Sequence, residues 1–136
     1  MKHDSKIALV TGGNRGIGLE ICRQLAQKGL HVIMGSRSQS KGESAAAPLQ
    51  AEGLNIEVLP LDVDDARSID QAVAHIQTQH GQLHVLVNNA GVFLDSEDPQ
   101  RGSVMGIARS TIENTFNTNV YGPLQLIQAV LPLMQS

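Results

Sequence analysis

The feature that most limits how this chain can fold is a glycine-rich segment between a run of apolar residues and a helical pattern. Residues 11–18 read Thr-Gly-Gly-Asn-Arg-Gly-Ile-Gly and follow Ile-Ala-Leu-Val at residues 7–10. Glycine lets a backbone turn tightly and approach a ligand, and a helix that starts at such a turn offers unpaired N–H groups to an anion. The segment therefore predicts a strand, a tight turn and a helix whose first residues can bind phosphate.

Short strand-like runs alternate with longer helical patterns along the chain. We predict strands at Lys6–Thr11, His31–Ser36, Asn55–Asp62 and Leu83–Asn88. The last has consecutive apolar residues, which is typical of a strand covered on both faces. Strands that alternate with helices indicate a parallel sheet with crossover helices. The expected fold class is α/β: a Rossmann-type doubly wound parallel sheet, incomplete, with about four strands in the order 3-2-1-4 and flanking helices.

Glycines, a proline and an aspartate mark the ends of the predicted helices. Gly29, Gly53 and Gly81 each follow a helical pattern and are expected to end it, while Asp64 is expected to cap the third helix. Pro48 is expected to kink the second helix or to mark a restart. Apolar residues at helical spacing define one face of the first helix (Ile17, Ile21, Leu25) and one of the third (Ile69, Val73, Ile76).

A longer helix is predicted from about Thr111 to Met134. Tyr121 is expected to pack within it, as tyrosines in helices usually do. Its apolar residues can face either the core or a second subunit, and the sequence leaves both open. They are Ile112, Phe116, Leu124, Ile127, Val130 and Leu131.

The composition excludes several classes of function. The 136 residues suit one domain, and a net charge of -3 with a pI of about 5.9 gives no basic surface for nucleic acid. No stretch reaches the roughly 18 apolar residues that a membrane helix needs, so no membrane contact is expected. The single cysteine, Cys22, cannot form an internal disulfide. We therefore expect a cytoplasmic protein in which Cys22 is a small buried apolar residue.

The spacing of the glycines distinguishes between kinds of phosphate site. It differs from the common dinucleotide motif G-x-G-x-x-G. It matches the P-loop spacing from Gly13 to Gly18, but Leu19 and Glu20 stand where that motif needs lysine and serine or threonine. A nucleotide triphosphatase is therefore disfavoured. A glycine-rich turn without any ligand stays open as the alternative.

Four segments in order resemble the short-chain dehydrogenase/reductase family. They are Thr-Gly-x-x-x-Gly-x-Gly at residues 11–18, Leu-Asp-Val at 61–63, Asn-Asn-Ala-Gly at 88–91 and Asn-Val-Tyr-Gly at 119–122. Within that family the chain is most similar to the monomeric carbonyl reductases, through residues 13–18 and 49–54. The resemblance implies an oxidoreductase that transfers hydride between a nicotinamide and a small carbonyl or alcohol substrate.

The second strand indicates which nicotinamide cofactor is bound. An NAD site usually has an acidic residue about 20 residues past the glycines, to hold the ribose 2′-hydroxyl. No acidic residue occurs between Glu20 and Glu43, and Arg37 follows the second strand instead. An arginine there, together with Arg15 in the turn, can hold a 2′-phosphate, so NADP(H) is the expected cofactor. The alternative is that both arginines are solvated surface charges.

The resemblance also implies roles for individual residues. Asp62 is expected to accept a hydrogen bond from the adenine amino group while Val63 covers the ring, and residues 88–91 are expected to pack behind the cofactor ribose. The complete set of expected cofactor-binding residues is Gly12, Asn14, Arg15, Gly16, Ile17, Gly18, Arg37, Asp62, Val63, Asn88, Asn89, Ala90 and Gly91.

The residues that carry the family's chemistry are only partly represented. The family uses a tyrosine as general acid or base, and a lysine four residues later favours its phenolate form. The only tyrosine here is Tyr121, and Gln125 stands four residues later. Asn119 matches the asparagine that supports a proton-relay water, with a purely structural role in the helix as its alternative.

We therefore expect residues 1–136 to be an NADP(H)-binding domain, truncated before the fifth strand and inactive alone. A non-catalytic nucleotide-binding or partner-binding module, or a truncated product without independent activity, is the alternative. A homo-oligomer through the helix at residues 111–134 stays open as the alternative to core packing. His75, His80 and His84 lack the spacing of a zinc motif, so they are interpreted as solvated and no metal site is predicted.

Overall fold

The structure, a computed structural model, describes residues 5–91 and 108–134. The described strands are β1 (Ile7–Val10), β2 (His31–Ser36), β3 (Ile56–Pro60) and β4 (Val85–Val87). The helices are α1 (Gly16–Gln27), α2 (Gln39–Ala51), α3 (Ala66–Gln79), α4 (Arg109–Phe116) and α5 (Gly122–Met134). A π-helical segment, Asn117–Tyr121, joins the last two.

All strand pairs are parallel, and the sheet has the order β3-β2-β1-β4. The predicted α/β fold class and strand order are thus confirmed. Every residue of β1 is buried, as expected for a central parallel strand with helices on both faces. β4 pairs with β1 alone among the described residues, so its other edge is unpaired within the described sheet.

Alternate residues of the strands point to two apolar layers. On one face, Val10, Val32 and Met34 pack with residues of α1 and α2. On the other face, Leu9 and Ile33 pack with residues of α3 and α5. Crossover helices on both faces make the sheet doubly wound, and they leave its carboxyl edge to the loops that follow the strands.

The first three helices end at the predicted glycines, and one predicted N-cap is corrected. Gly29, Gly53 and Gly81 have φ angles of 93°, 85° and 74°, a left-handed backbone in which glycine carries no steric penalty. Asp65, not Asp64, caps α3 by accepting a hydrogen bond from the Arg67 amide at 3.0 Å. The predicted cap was wrong by one residue, because residues 64 and 65 are both aspartates and either can cap a helix. Pro48 lies inside α2.

The buried face of α1 differs from its predicted apolar pattern, whereas that of α3 agrees with it. In α1 the fully buried residues are Gly18, Cys22 and Ala26, whereas Ile17 is 75% exposed. Small residues let α1 pack closely on the sheet, and the exposed Ile17 lies beside the glycine turn, where it was predicted to contact the cofactor. In α3, Ile69 and Ile76 are buried as expected.

The predicted long helix over residues 111–134 is helical throughout, but the π-helical segment separates its two α-helical parts. Val130 is buried with Leu126 and Leu133, whereas the other five apolar residues named in the sequence are 41–50% exposed, so core packing holds only for Val130 among the six. Tyr121 is 54% exposed and is not packed in the core either. The exposed set on α4, the π-helical segment and α5 is Ile112, Phe116, Val120, Tyr121, Leu124, Ile127 and Leu131.

Within the described residues, none of the helices has both the length and the apolar character needed to cross a membrane.

Candidate nucleotide-binding site

The glycine-rich turn lies where the sequence places it, between the carboxyl end of β1 and the start of α1. Gly12 and Gly16 have φ angles of 60° and 57°, which are strained for residues with a side chain. A Cβ added at Gly16 would meet no heavy atom within 4 Å. The turn therefore has an open space on the side of Gly16, directly beside the first turn of α1.

The other two glycines of the turn are required by close packing. A Cβ at Gly18 would lie 2.3 Å from the Gly12 carbonyl oxygen, and one at Gly13 would lie 2.8 Å from Cys22 Sγ. Cys22 is fully buried beneath the turn, as predicted, and burial raises the pKa of its thiol to about 12. The turn thus rests on tight packing below and is open at Gly16.

Thr11 holds this turn against the loop after β4. Its buried hydroxyl accepts hydrogen bonds from the backbone amides of Asn89 at 3.0 Å and Ala90 at 2.9 Å. The Asn89 side chain in turn donates to the Gly12 carbonyl at 3.1 Å. Thr11 stands at the start of the predicted glycine motif, but no role was predicted for it. A small hydroxyl residue at the end of a buried strand is the signal that could have identified it.

The first turn of α1 is not capped by any side chain of the described residues. Arg15 is the N-cap residue and makes no capping hydrogen bond, and no acidic residue occupies the first turn. Arg15, Gly16 and Ile17 are all exposed. The helix start therefore presents N–H groups and the positive end of its dipole to solvent, an arrangement that favours an anion.

Arg37 lies on the same edge of the sheet. It follows β2, which pairs with β1 in parallel, and the Gly13 amide donates to the carbonyl of Gly35 at 3.0 Å. Ser36 is buried and its hydroxyl donates to the Ser38 carbonyl at 2.8 Å, which fixes the chain where it leaves the strand. Arg37 itself is exposed, so its guanidinium is available to a ligand beside the turn.

Asp62 and Val63 follow β3 on that edge too, but they differ in exposure. Asp62 is half-buried, and its Oδ1 accepts a hydrogen bond from the Asp64 amide at 2.9 Å. Val63 is buried in the core between the sheet and α3. Little of the Val63 side chain is therefore left to cover an adenine ring, whereas Asp62 keeps a carboxylate oxygen near the surface.

The π-helical segment brings Asn119 towards the loop after β4. A Cβ added at Gly91 would lie 3.2 Å from Asn119 Oδ1.

Asp64 fixes the π-helical segment by accepting hydrogen bonds from Thr118 Oγ1 at 2.5 Å and Asn117 Nδ2 at 3.3 Å. The segment also packs closely on the loop after β3, and only glycine fits at residue 122, because a Cβ there would lie 2.6 Å from the Val63 carbonyl oxygen. Extra-wide helical turns of this kind are frequent at functional sites.

The predicted site residues thus converge on the carboxyl edge of the sheet, apart from the buried Val63 side chain. Asn88 and Gly91 are exposed there, Ala90 is half-buried, and Asn14 is half-buried within the turn. An open turn of glycines, an uncapped helix start and exposed arginines can hold a diphosphate and a further phosphate. The fold and this edge define a Rossmann-like α/β protein.

The chain belongs to the short-chain dehydrogenase family, whose model matches residues 6–136. It is 38% identical over 136 residues to carbonyl reductase (NADPH) 3 of Homo sapiens, covering 99% of this chain and 47% of that protein. The chain thus spans about half the length of the curated relatives it matches.

Solved structures give the same family. An actinorhodin polyketide ketoreductase solved with NADPH superposes with a TM-score of 0.86 at 32% identity, over 97% of this chain and 48% of that one. A metagenomic short-chain oxidoreductase in complex with NADP gives a TM-score of 0.84 at 29% identity, over 95% and 56%. The expected family membership is thereby confirmed.

Proposed function

We propose that this chain binds NADP(H) at the turn of residues 12–18 and forms the cofactor-binding part of an oxidoreductase. The observation that carries the proposal is the open space beside Gly16 at the uncapped start of α1. A diphosphate placed there would accept hydrogen bonds from the first amides of the helix and would meet its positive dipole end. The NADPH- and NADP-bound structural relatives support this assignment.

The preference for NADP(H) over NAD(H) is proposed to come from Arg37, with Arg15 as a second contact. Both are exposed on the carboxyl edge, and an exposed arginine can form bidentate hydrogen bonds with a 2′-phosphate. Asp62 would accept from the adenine amino group, and residues 88–91 would lie behind the ribose.

The proposal is tested by titrating the purified protein with NADPH and with NADH, using calorimetry or the fluorescence of the reduced nicotinamide. NADPH is expected to bind more tightly, and Arg37→Asp is expected to weaken NADPH by about 10- to 100-fold. This range corresponds to the 1.5–3 kcal/mol that a charge-assisted hydrogen bond typically contributes. NADH binding should change much less, because it lacks the 2′-phosphate.

Lys28→Asp is the matched control, since it makes the same change of charge at the opposite end of α1. It should leave both affinities within about twofold, because surface charges at that distance are largely screened. Equal affinities for NADPH and NADH, or an Arg37→Asp protein that keeps its preference, would contradict the cofactor assignment.

For the whole protein we propose hydride transfer between the nicotinamide and a small carbonyl or alcohol substrate. Asn119, beside Gly91, would support a proton-relay water. The tyrosine and lysine pair that carries the family's proton transfer does not occur within these 136 residues, since Gln125 stands four residues after Tyr121. The 136-residue chain alone is therefore proposed to bind NADPH without oxidising it. NADPH oxidation by the pure chain with carbonyl substrates would overturn that point.

A homo-oligomer through the helices at residues 109–134 is proposed as well. Phe116, Leu124 and Leu131 are each about half exposed, and exposed apolar patches of this kind commonly mark protein interfaces. Sedimentation velocity at increasing protein concentration should show a species of twice the chain mass. A monomer at every concentration would contradict this proposal.

A further inference from the structure

Three histidines surround one carboxylate at the amino edge of the sheet, opposite the glycine turn. His31 is the first residue of β2, Glu57 is the second residue of β3, and His75 and His80 come from the end of α3. We call these four residues the amino-edge cluster. The interpretation of His75 and His80 as merely solvated was therefore wrong.

The register of the strands explains why the cluster forms. Glu57 pairs with Ile33, and side chains two residues apart on a strand share a face, so His31 lies diagonally beside Glu57. Ile33 belongs to the apolar layer that contains Ile76 of α3, so this is the α3 face of the sheet. His75 and His80 reach the same face from the last turn of α3 and its C-cap.

The contacts within the cluster are short and directed at both carboxylate oxygens. His31 Nε2 lies 2.7 Å and His80 Nε2 2.9 Å from Glu57 Oε1. His75 Nε2 hydrogen-bonds to the other oxygen, Oε2. The side chains of His31, His80 and Glu57 are 17%, 16% and 23% exposed, so the cluster is shielded but reachable from solvent.

The carboxylate is held in its ionised form. Burial alone would raise the pKa of Glu57, but the hydrogen bonds from the three histidines outweigh it and lower the pKa to about 2. Imidazoles that are oriented by hydrogen bonds to a carboxylate are a usual feature of metal-binding sites.

We propose that His31, Glu57 and His80 form a Zn²⁺ site, with a water as the fourth ligand and His75 orienting the carboxylate. The three coordinating atoms lie within 4.8 Å of one another. Two imidazoles and one carboxylate with an open fourth position are a common zinc ligand set. The proposal does not depend on the cofactor assignment.

Coordination would change the separations of all three ligand atoms, including the two imidazole nitrogens, which lie within 4.8 Å of each other. Zinc bonds of about 2.0–2.1 Å in a tetrahedron place the ligand atoms about 3.3 Å apart. The contacts of His31 and His80 with Glu57 Oε1 would therefore open by about half an ångström as the metal replaces the shared protons. Changes of side-chain torsion angles can supply this without moving the strands.

The test is titration of the tag-free protein with Zn²⁺ by calorimetry, after removal of metals with a chelator and desalting. One Zn²⁺ per chain is expected to bind. His80→Gln and Glu57→Gln are each expected to weaken binding by about 100-fold or more, because loss of even an outer-shell partner costs about 10- to 100-fold. Co²⁺ added in place of Zn²⁺ should give the intense visible bands of a four-coordinate ion in the unmodified protein and lose them in His80→Gln.

Two histidines outside the cluster provide controls. His84→Asn keeps an acceptor for the Ile7 amide, which His84 Nδ1 now accepts at 2.9 Å, and His3→Gln removes a histidine near the N-terminus. Both should bind Zn²⁺ within about twofold of the unmodified protein. Circular dichroism checks that each variant is folded. Absence of saturable Zn²⁺ binding, or equal Zn²⁺ affinity in folded His80→Gln protein, would overturn the proposal.

Discussion

The two edges of the sheet build their sites from different parts of the chain. At the carboxyl edge the open space lies beside the backbone of Gly16, at the start of α1, and glycines occupy four of the positions 12–18. At the amino edge the groups are side chains, three imidazoles and one carboxylate, gathered from β2, β3 and α3. One edge suits a large anion, and the other suits a small cation.

This difference predicts which substitutions each site should tolerate. A backbone site depends on the absence of Cβ atoms and on the hydrogen bonds that hold the turn in place. A side-chain site depends on the identity of a few residues, and its strands can accept other substitutions nearby. The variants below change the carboxyl edge, and the Thr11 variants are also measured for Zn²⁺ binding at the amino edge, which tests whether the two edges are independent.

Gly18→Ala should have the largest effect on stability. The added Cβ would lie 2.3 Å from the Gly12 carbonyl oxygen, which is backbone and cannot rotate away. Overpacking of this kind should lower the free energy of unfolding by about 3 kcal/mol, as measured by urea denaturation. Gly81→Ala, where φ is 74° but nothing lies within 4 Å, is the control and should cost about 1 kcal/mol. Equal losses in the two variants would refute the close packing of the turn.

Thr11→Val should have the next largest effect, and only at the carboxyl edge. It removes the acceptor of the Asn89 and Ala90 amides, so the free energy of unfolding should fall by about 2 kcal/mol and NADPH should bind about tenfold more weakly. Thr11→Ser keeps the hydroxyl and should lose less than about 1 kcal/mol. Zn²⁺ binding at the amino edge should be the same in both variants, and a parallel loss there would show that the two edges are not independent.

Asp64→Asn should have the smallest effect of the three. The change weakens the acceptor of the hydrogen bonds from Thr118 and Asn117 that fix the π-helical segment. The free energy of unfolding should therefore fall by about 1 kcal/mol, as measured by thermal or urea unfolding. Asp65→Asn is the matched control, because asparagine caps a helix as well as aspartate does and stability should not change. A larger loss in Asp65→Asn than in Asp64→Asn would mean that the roles of the two aspartates are reversed.

The sequence predicted the carboxyl edge better than the amino edge, for a physical reason. The glycine turn is contiguous, so residues 11–18 carry its geometry in their own order. The parallel direction of the strands then followed from the alternation of strands and helices along the chain. By contrast, the amino-edge cluster joins residues 31, 57, 75 and 80, and only the register between β2 and β3 brings them together.

Two other features escaped prediction for related reasons. The π-helical segment depends on tertiary contacts of Asp64 and Gly122, which no periodicity in residues 111–134 reveals. The spacing of Ile17, Ile21 and Leu25 defined one face of α1, yet the close approach of α1 to the sheet is made by Gly18, Cys22 and Ala26. Helical spacing locates apolar residues but does not decide which face packs closely.

The most direct test of the account compares NADPH binding by Gly16→Ala and Gly29→Ala. Both glycines have a left-handed backbone and open surroundings, so both variants should lose a similar stability of about 1 kcal/mol. Only the methyl group at residue 16 would occupy the space assigned to the diphosphate. We expect Gly16→Ala to weaken NADPH binding by about 100-fold, equivalent to about 2.7 kcal/mol, and Gly29→Ala to bind NADPH unchanged. Equal NADPH affinity in the two folded variants would contradict it.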